Sequence, residues 1–259
     1  MVKKTLTIGG SDTWGGGGIQ TDLKTFENHA TFGLSVLTCL AVAEKEAFAI
    51  RNLPSDLVRQ QLQTIEASFQ LDAIKIGLLS GSQTVEAVKE FSQKMQGQTP
   101  IVLDPVLAFK ETQASYQQEY VKQILDLAMA TDLVTPNLVE AAMLADFPDL
   151  KTLADVQLAS QRIFDKTQTP VVIKGGARLA GEEALDYFYD GVTEQIFKGP
   201  KSARLTTNGA GCCFSAAICA NLAQGNSLSN GIQKSKQFVY EAIENGLVIE
   251  GATGNVWHN

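Results

Sequence analysis

The sequence predicts an α/β domain whose mainly parallel central sheet carries helices on both faces. Short apolar runs rich in β-branched residues recur along the chain, and longer segments with helical periodicity lie between them. This alternation is typical of parallel sheets, in which each strand returns through a helix packed on the sheet. With 259 residues and 44% apolar residues, the chain can bury one large core, so a single domain over residues 1–259 is expected.

Six apolar runs are predicted to form strands: Thr5–Ile8, Leu34–Val42, Ala73–Ile76, Ile101–Leu103, Leu133–Thr135 and Val171–Lys174. The first helices are indicated by apolar residues at mostly helical spacing: Ile19, Leu23, Phe26 and Ala30, then Leu57, Leu62, Ile65 and Phe69. Two short strands, Ala184–Tyr189 and Glu194–Phe197, flank an Asp-Gly turn and predict an antiparallel insertion within residues 184–205. Small and apolar residues predict two closing helices, Ala210–Ala223 and Ser229–Gly246.

The charge balance and the cysteines exclude several classes of protein. With 21 basic and 28 acidic residues the formal charge is −7, which disfavours nucleic acid and anionic membranes as partners. The N-terminus lacks the apolar core of a signal peptide, and no segment resembles a membrane span. The four cysteines show no metal-ligand spacing. We therefore expect a cytoplasmic protein with reduced thiols.

A glycine-rich segment follows the first predicted strand. Gly9-Gly10-Ser11-Asp12 and the glycines at 15–18 lead into the helix that contains Asp22. Glycines let a ligand approach the backbone closely, and the amides at the helix start can donate hydrogen bonds to it. A flexible turn without a ligand is the alternative. No Gly-Lys-Ser/Thr follows, so this is not a Walker-type phosphate loop.

Three polar motifs lie at predicted strand ends, where open α/β sheets bind ligands. Asp104, before Pro105, could hold magnesium or its waters, or could simply begin a turn. Asn137 and Glu140 could engage phosphate and hydrated magnesium, or could form a helix capping box. Lys174 ends an apolar strand and either contacts an anion or is solvated.

The segment from Thr206 to Ala216 carries the most information. Gly209-Ala210-Gly211 opens a helix of small residues, whose first amides and positive dipole end suit charge on a transferring phosphoryl group. Cys212 lies in the first helical turn, where thiol pKa values are commonly lowered, so a thiolate could accept a proton. Cys213 and Cys219 are predicted to be packing residues.

In their order along the chain, the motifs resemble those of one kinase family. They are Gly-Gly-Ser-Asp before the glycine run and Ile-Gln-x-Asp-Leu-Lys, Lys-Ile-Gly-Leu-Leu at 75–79, Asp-Pro-Val, Thr-Pro-Asn-x-x-Glu, Lys-Gly-Gly, and Gly-Ala-Gly-Cys-x-Phe-Ser-Ala. This series resembles the hydroxymethylpyrimidine kinases and their pyridoxal-kinase relatives, in the ribokinase-like superfamily, over essentially the whole chain. The resemblance implies a three-layer α/β/α fold, ATP at the C-terminal edge of the sheet, Mg²⁺ and a homodimer. It leaves open a need for a monovalent cation.

The resemblance also assigns roles by position. Cys212 takes the place of the superfamily's catalytic aspartate as the base, with Gly209, Ala210 and Gly211 as the anion hole. ATP-binding residues are Asn137, Glu140, Lys174, Asp186, Thr206 and Gly211, and the metal ligands are Asp104 and Glu140. Acceptor-site residues are Gly10, Asp12, Asp22, Ala43, Leu78, Val106 and Cys212, with Leu107–Tyr116 as a lid.

The sequence departs from that of the pyrimidine kinases at residue 43, which is an alanine. Those enzymes usually carry a glutamine there that pairs with the aminopyrimidine, and an alanine side chain makes no hydrogen bond. The loss is worth about 1–3 kcal/mol if the ligand group stays buried and unpaired. Pyridoxal, pyridoxine or pyridoxamine is therefore the expected acceptor. The alternatives are a hydroxymethylpyrimidine or phosphomethylpyrimidine kinase and a non-catalytic pyridoxal-binding protein.

The lid also lacks the second cysteine of some pyridoxal kinases, since it reads Leu107-Ala108-Phe109-Lys110.

Overall fold

The computed structural model describes residues 1–44, 47–107 and 114–258. In this part of the chain the strands are β1 (Lys3–Asp12), β2 (Thr31–Glu44), β3 (Ala47–Asn52), β4 (Ala73–Ile76), β5 (Ile101–Leu103), β6 (Leu133–Val134), β7 (Val171–Gly176), β8 (Glu183–Tyr189) and β9 (Glu194–Pro200). The helices are α1 (Gly18–Asn28), α2 (Ser55–Ser68), α3 (Ser82–Met95), α4 (Ala114–Ala128), α5 (Leu138–Ala145), α6 (Leu153–Thr167), α7 (Ala210–Ala223) and α8 (Leu228–Glu244).

All these strands belong to one sheet, in the order β3-β2-β1-β4-β5-β6-β7-β8-β9. The central pairs from β2 to β7 are parallel, and antiparallel strands close both edges. The predicted α/β class with a mainly parallel sheet is thus confirmed. The insertion predicted between residues 184 and 205 consists of β8 and β9, which extend the edge of the main sheet beyond β7.

The strand predictions were wrong at one edge of the sheet. β1 continues through Gly9–Asp12, β2 ends two residues beyond Val42, and β3, which pairs antiparallel with β2, was not predicted. The backbones of β1 and β2 pair as far as Asp12 and Ala41, so interstrand hydrogen bonds hold a glycine-rich segment in the extended state. Local composition alone does not reveal such pairing.

Two apolar clusters lie on opposite faces of the sheet. One joins β-strand residues to α2, α3, α4, α5 and α6, and the other joins them to α1, α7 and α8. Alternation along β4 places Ile74 and Ile76 in the first cluster and Ala73 in the second. Lys75 therefore points toward the α1 and α7 layer. Among the helices that the structure describes, none combines the length and the apolar character needed to span a membrane.

Candidate active site

The predicted site residues lie along the carboxyl ends of the central parallel strands. Asp104 follows β5, Lys174 lies near the end of β7, and the N-termini of α5 and α7 begin at the same edge. The loop from Asp12 to Gly18, here called the glycine loop, connects β1 to α1. Residues 206–211, here called the anion-hole loop, lead into α7. This edge thus gathers both loops and both polar strand ends.

Asp12 organises the glycine loop. Its Oδ2 accepts hydrogen bonds from the amides of Gly16 (3.1 Å) and Gly17 (2.8 Å), and its Oδ1 accepts one from the amide of Trp14 (2.9 Å). Both carboxylate oxygens are therefore engaged by backbone. Asp12 therefore holds the glycine loop in place, and its predicted contact with the acceptor stays a prediction.

The anion-hole loop requires glycine where it meets the glycine loop. Gly209 has φ +85°, and a Cβ there would lie 1.5 Å from the carbonyl oxygen of Gly16. No side chain caps α7, and the Ala210 amide donates to the Thr207 carbonyl oxygen. The first-turn amides of Gly211 and Cys212 are therefore the ones positioned to face an anion.

Lys174 is ion-paired with Asp104. Its Nζ lies 2.7 Å from Oδ1 of Asp104, and Oδ2 of Asp104 accepts from the hydroxyl of Ser215 at 3.2 Å. A Cβ on Gly211 would lie 3.3 Å from the same Nζ, so the ammonium lies against the start of α7. Burial alone would lower the pKa of Lys174, but the carboxylates of Asp104 and Glu140 outweigh it and raise that pKa. The lysine therefore stays charged at the edge of the sheet where α7 begins.

Asn137 and Glu140 form the capping box that was the alternative to a ligand role. Oδ1 of Asn137 accepts from the amides of Val139 (2.9 Å) and Glu140 (3.0 Å), and Oε2 of Glu140 accepts from the Asn137 amide (2.8 Å). Burial raises the pKa of Glu140 to about 7, with Lys174 opposing the rise and Asp104 adding to it. Capping does not exclude ligand contact, because Asn137 also lines the large cavity described below.

The donor set fits a magnesium ion that keeps most of its waters. Mg²⁺ in kinase sites is bound through one or two carboxylates together with substrate phosphates. Glu140 and Asp104 supply such hard oxygen donors at the same edge of the sheet, Asp104 after β5 and Glu140 in the first turn of α5. Within the described residues, no three His, Cys, Asp or Glu side chains cluster to bind a metal. A metal here would depend on the phosphates for its remaining ligands.

The expectation of a lowered pKa at Cys212 is wrong. Burial raises the pKa of this thiol to about 11, although the nearby Lys75 ammonium and a hydrogen bond from the Gly18 amide both lower it. Desolvation thus outweighs the helix N-terminus. Cys213 and Cys219 are fully buried, as predicted for packing residues.

Lys75 is a residue that the site prediction missed. Its Nζ lies 2.7 Å from Oδ2 of Asp22, which also accepts from the Thr7 hydroxyl at 2.6 Å. Asp22 is fully enclosed, so it cannot contact an acceptor directly. It could influence one only through neighbours such as Lys75 and Cys212. The signal in the sequence was a lysine within the apolar strand Ala73–Ile76, which is unusual unless its charge is paired.

A cavity of about 380 Å³ lies beside the anion-hole loop, between β7, β8, β9 and α8. Of the predicted ATP-binding residues, Asn137, Lys174, Asp186 and Gly211 line it. Glu140 and Thr206 do not line it; the buried Thr206 hydroxyl donates to the Ile243 carbonyl oxygen at 2.5 Å, and Thr207 lines the cavity instead. Asp186 pairs at 2.6 Å with Lys236, another lining lysine, which the sequence did not distinguish from other helix lysines.

The described lining of this cavity includes none of the predicted acceptor residues. A Cβ on Gly10 would lie 2.8 Å from Sγ of Cys39 and 3.3 Å from Cδ2 of Leu78, so β1 has no space for a side chain at this position. Leu78 and Val106 are partly buried at neighbouring strand ends. Ala43 pairs with Phe48 in the β2–β3 ladder. Most of the predicted lid, residues 108–113, lies outside the described residues.

Comparison with known proteins gives a family match over nearly the whole chain. The family model described as "Phosphomethylpyrimidine kinase" matches residues 12–257. The pyridoxine kinase of Bacillus subtilis is 34% identical, covering 100% of this chain and 96% of that protein. The hydroxymethylpyrimidine/phosphomethylpyrimidine kinase of Aquifex aeolicus is 36% identical, covering 93% and 94%. The pyridoxal kinase from Staphylococcus aureus, solved with AMP-PCP and pyridoxal, superposes with a TM-score of 0.91 at 34% identity, covering 100% and 94%.

Proposed function

The chain belongs to the phosphomethylpyrimidine kinase family and is an ATP-dependent phosphotransferase, and on this premise we propose that its acceptor is pyridoxal or a related B6 vitamer. The reaction transfers the γ-phosphate of ATP to the 5′-hydroxymethyl group, which with pyridoxal gives pyridoxal 5′-phosphate. Ala43 carries the choice of acceptor, because the glutamine expected of a pyrimidine kinase is missing there. The full-length likeness to a pyridoxal kinase that binds pyridoxal supports the same choice.

The cavity beside the anion-hole loop is the proposed ATP site. It has room for a nucleotide, and Lys174 lines it beside Gly211 at the start of α7. Lys198 and Lys236 add further ammonium groups to the cavity lining. Phosphoryl transfer needs positioning and charge stabilisation more than covalent chemistry, and these groups supply both.

Glu140 and Asp104 are the proposed carboxylates for Mg²⁺. The ion would neutralise charge on the β- and γ-phosphates of bound ATP. Glu140 is buried at the N-terminus of α5, where its side chain is fixed by the Asn137 amide. Asp104 is held by Lys174 and Ser215. Both carboxylates are therefore oriented before the nucleotide arrives.

Cys212 is the proposed proton acceptor. The acceptor hydroxyl loses its proton as its oxygen bonds to phosphorus, and a thiolate at the start of α7 can receive it. Because burial keeps most of this thiol protonated at neutral pH, the active form is a minority that rises with pH. Lys75 is the buried cation that favours the thiolate. Lys75 is therefore proposed to support the Cys212 thiolate electrostatically, while its direct partner is Asp22.

A hydroxymethylpyrimidine kinase of thiamine biosynthesis is the second candidate. The identity to the Aquifex aeolicus enzyme is as high as that to the Bacillus subtilis pyridoxine kinase, so overall similarity does not separate the two acceptors. Both substrates carry a hydroxymethyl group on a six-membered aza-aromatic ring. A non-catalytic pyridoxal-binding role has no support, since the chain belongs to a kinase family. A homodimer is proposed from the family resemblance alone, and analytical ultracentrifugation tests it.

The direct experiment is to identify the product. Purified protein is incubated with ATP, magnesium and pyridoxal, and the product is analysed by mass spectrometry. Pyridoxal 5′-phosphate is expected. Product from hydroxymethylpyrimidine alone, with none from pyridoxal, would overturn the proposed acceptor and favour the second candidate.

A further inference from the structure

The C-terminal segment Gly254–His258 packs against both loops of the site. The Asn208 amide donates to the Gly254 carbonyl oxygen, and the Val256 amide donates to the Asn208 carbonyl oxygen, each at 3.0 Å. On its other side the segment pairs with Leu247, which exchanges two backbone hydrogen bonds with Asn255 at 2.8 and 2.9 Å. Backbone hydrogen bonds with Asn208 in the anion-hole loop therefore hold this segment in place.

The side chain of Asn255 joins this segment to both loops at once. Its Oδ1 accepts from Nδ2 of Asn208 at 2.8 Å, and its Nδ2 donates to the Trp14 carbonyl oxygen at 3.0 Å. The side chain is buried, with a relative exposure of 5%. Asn255 therefore ties the anion-hole loop to the glycine loop through opposite ends of one amide.

The two amide side chains rest directly on Gly16. A Cβ at that position would lie 2.1 Å from Oδ1 of Asn255 and 2.3 Å from Nδ2 of Asn208. Gly16 also contacts the opposite loop, since a Cβ on Gly209 would lie 1.5 Å from its carbonyl oxygen. Three segments distant in sequence therefore meet without space for a side chain at either glycine.

This junction sets where Cys212 lies. A Cβ on Gly17 would lie 4.0 Å from Sγ of Cys212, and the Gly18 amide donates a hydrogen bond to that thiol. A shift of the glycine loop relative to α7 would change the position of the thiol against the acceptor, and no residue of the glycine loop lines the ATP cavity. Misplacement by about 1 Å costs on the order of 100-fold in rate in positioned reactions.

We propose that Asn255 is a positioning residue for phosphoryl transfer, whose side-chain amide holds the glycine loop and the anion-hole loop in register. The proposal rests on the proposed function for the roles of Cys212 and of the anion hole. Asn255 does not line the proposed ATP cavity, and its side chain contacts Trp14 and Asn208. Loss of the Asn255 side chain should therefore lower kcat and leave the affinity for ATP nearly unchanged.

Asn255→Ala is the first test, with Asn226→Ala as the matched control. Asn226 is a partly buried, hydrogen-bonded asparagine at the turn between α7 and α8. Asn255→Ala should lower kcat about 10- to 100-fold with KM for ATP within about threefold of the wild type. Asn226→Ala should leave kcat within about twofold. Equal kcat values for the two variants, or a loss confined to KM for ATP, would overturn the proposal.

A second measurement does not depend on turnover. The rate of alkylation of Cys212 by iodoacetamide, followed by peptide mass mapping, should rise several-fold in Asn255→Ala and stay unchanged in Asn226→Ala. An unchanged alkylation rate in Asn255→Ala would count against the proposal. Should Asn255→Ala fail to fold by circular dichroism, Asn208→Ala removes the other partner of the 2.8 Å bond and is expected to show the same kcat loss.

Asn255→Asp separates the two halves of the junction. The carboxylate can still accept from Asn208 but cannot donate to the Trp14 carbonyl oxygen. Turnover should therefore fall as in Asn255→Ala, and wild-type turnover in Asn255→Asp would contradict the coupling of the loops. The acceptor in these assays is the one the wild type phosphorylates, so failure of pyridoxal as substrate and failure of the Asn255 proposal are distinguished.

Discussion

Nζ of Lys75 lies 2.7 Å from Oδ2 of Asp22, and both side chains are almost completely enclosed between β4 and α1. The Asp22 pKa is raised by burial, which outweighs the stabilising effect of Lys75 on its charge. Burial lowers the pKa of Lys75, but Asp22, Cys212 and Asp104 together outweigh it and raise that pKa. The Lys75–Asp22 ion pair is therefore part of the buried core, and its lysine also lowers the pKa of Cys212.

Replacing only one partner of this ion pair should destabilise the fold more than replacing both partners. Lys75→Met leaves Asp22 as an uncompensated buried carboxylate and should cost about 3–5 kcal/mol in the free energy of unfolding. The double variant Asp22→Asn, Lys75→Met should cost clearly less, because no charge is left behind. Urea unfolding of both variants and the wild type checks this. A double variant less stable than the Lys75→Met protein would contradict it.

Cys212→Ala should lower kcat by a factor of about 100 to 10,000 while nucleotide binding changes little. Cys213 is a matched control on the adjacent position, because its thiol lies in the core and contacts His258. Cys213→Ala should keep kcat near the wild-type value. Steady-state kinetics test both, and unchanged turnover in Cys212→Ala would refute the assignment of the base.

The pH dependence of turnover follows from the raised pKa of Cys212. With a thiol pKa of about 11, the thiolate fraction grows about tenfold per pH unit below that value. If the thiolate accepts the proton, the wild-type kcat should rise between neutral pH and about pH 10. A flat profile in this range would show that another group, or water, takes the proton.

Lys174→Met should weaken ATP binding. The change removes the ammonium beside the Gly211 amide and leaves Asp104 without its partner, so KM for ATP should rise at least about tenfold. Lys151→Met is the control, since Lys151 pairs with Asp149 on the exposed surface. Calorimetric titration with a non-hydrolysable ATP analogue checks both. Wild-type affinity in Lys174→Met would remove this lysine from the ATP site.

Glu140→Gln should raise the magnesium concentration required for half-maximal activity about tenfold or more. The amide oxygen of glutamine can still accept from the Asn137 amide, so the capping hydrogen bond is kept while the charge is lost. Circular dichroism should therefore show an unchanged fold. An unaltered magnesium requirement would leave Glu140 as a helix-capping residue only.

The order of motifs in the sequence predicted most of the site, because each motif marks a strand end or a helix start. Asp104, Lys174 and Gly211 come together as expected, since the carboxyl ends of parallel strands share one edge. Sequence does not report side-chain partners across the fold. The pairing of Lys75 with Asp22, 53 residues apart, and the seating of Asn255 on Gly16 became evident only from the packed structure.

The ionisation of Cys212 shows a second limit of sequence reasoning. The helix start at Ala210 was predicted, and from it a lowered thiol pKa was inferred. The desolvation of that thiol depends on the surrounding layers, which a local motif does not encode. The same holds for Thr206, whose hydroxyl is directed to the Ile243 carbonyl oxygen by the closing segments of the chain.

The measurement that tests the central claim most directly is kcat/KM of the wild type for pyridoxal and for hydroxymethylpyrimidine, with ATP and magnesium saturating. We expect a preference for pyridoxal, and Ala43→Gln should shift the ratio toward the pyrimidine by about 10-fold or more, in line with one restored hydrogen bond. A wild-type preference for hydroxymethylpyrimidine would contradict the account and assign the chain to the pyrimidine branch of its family.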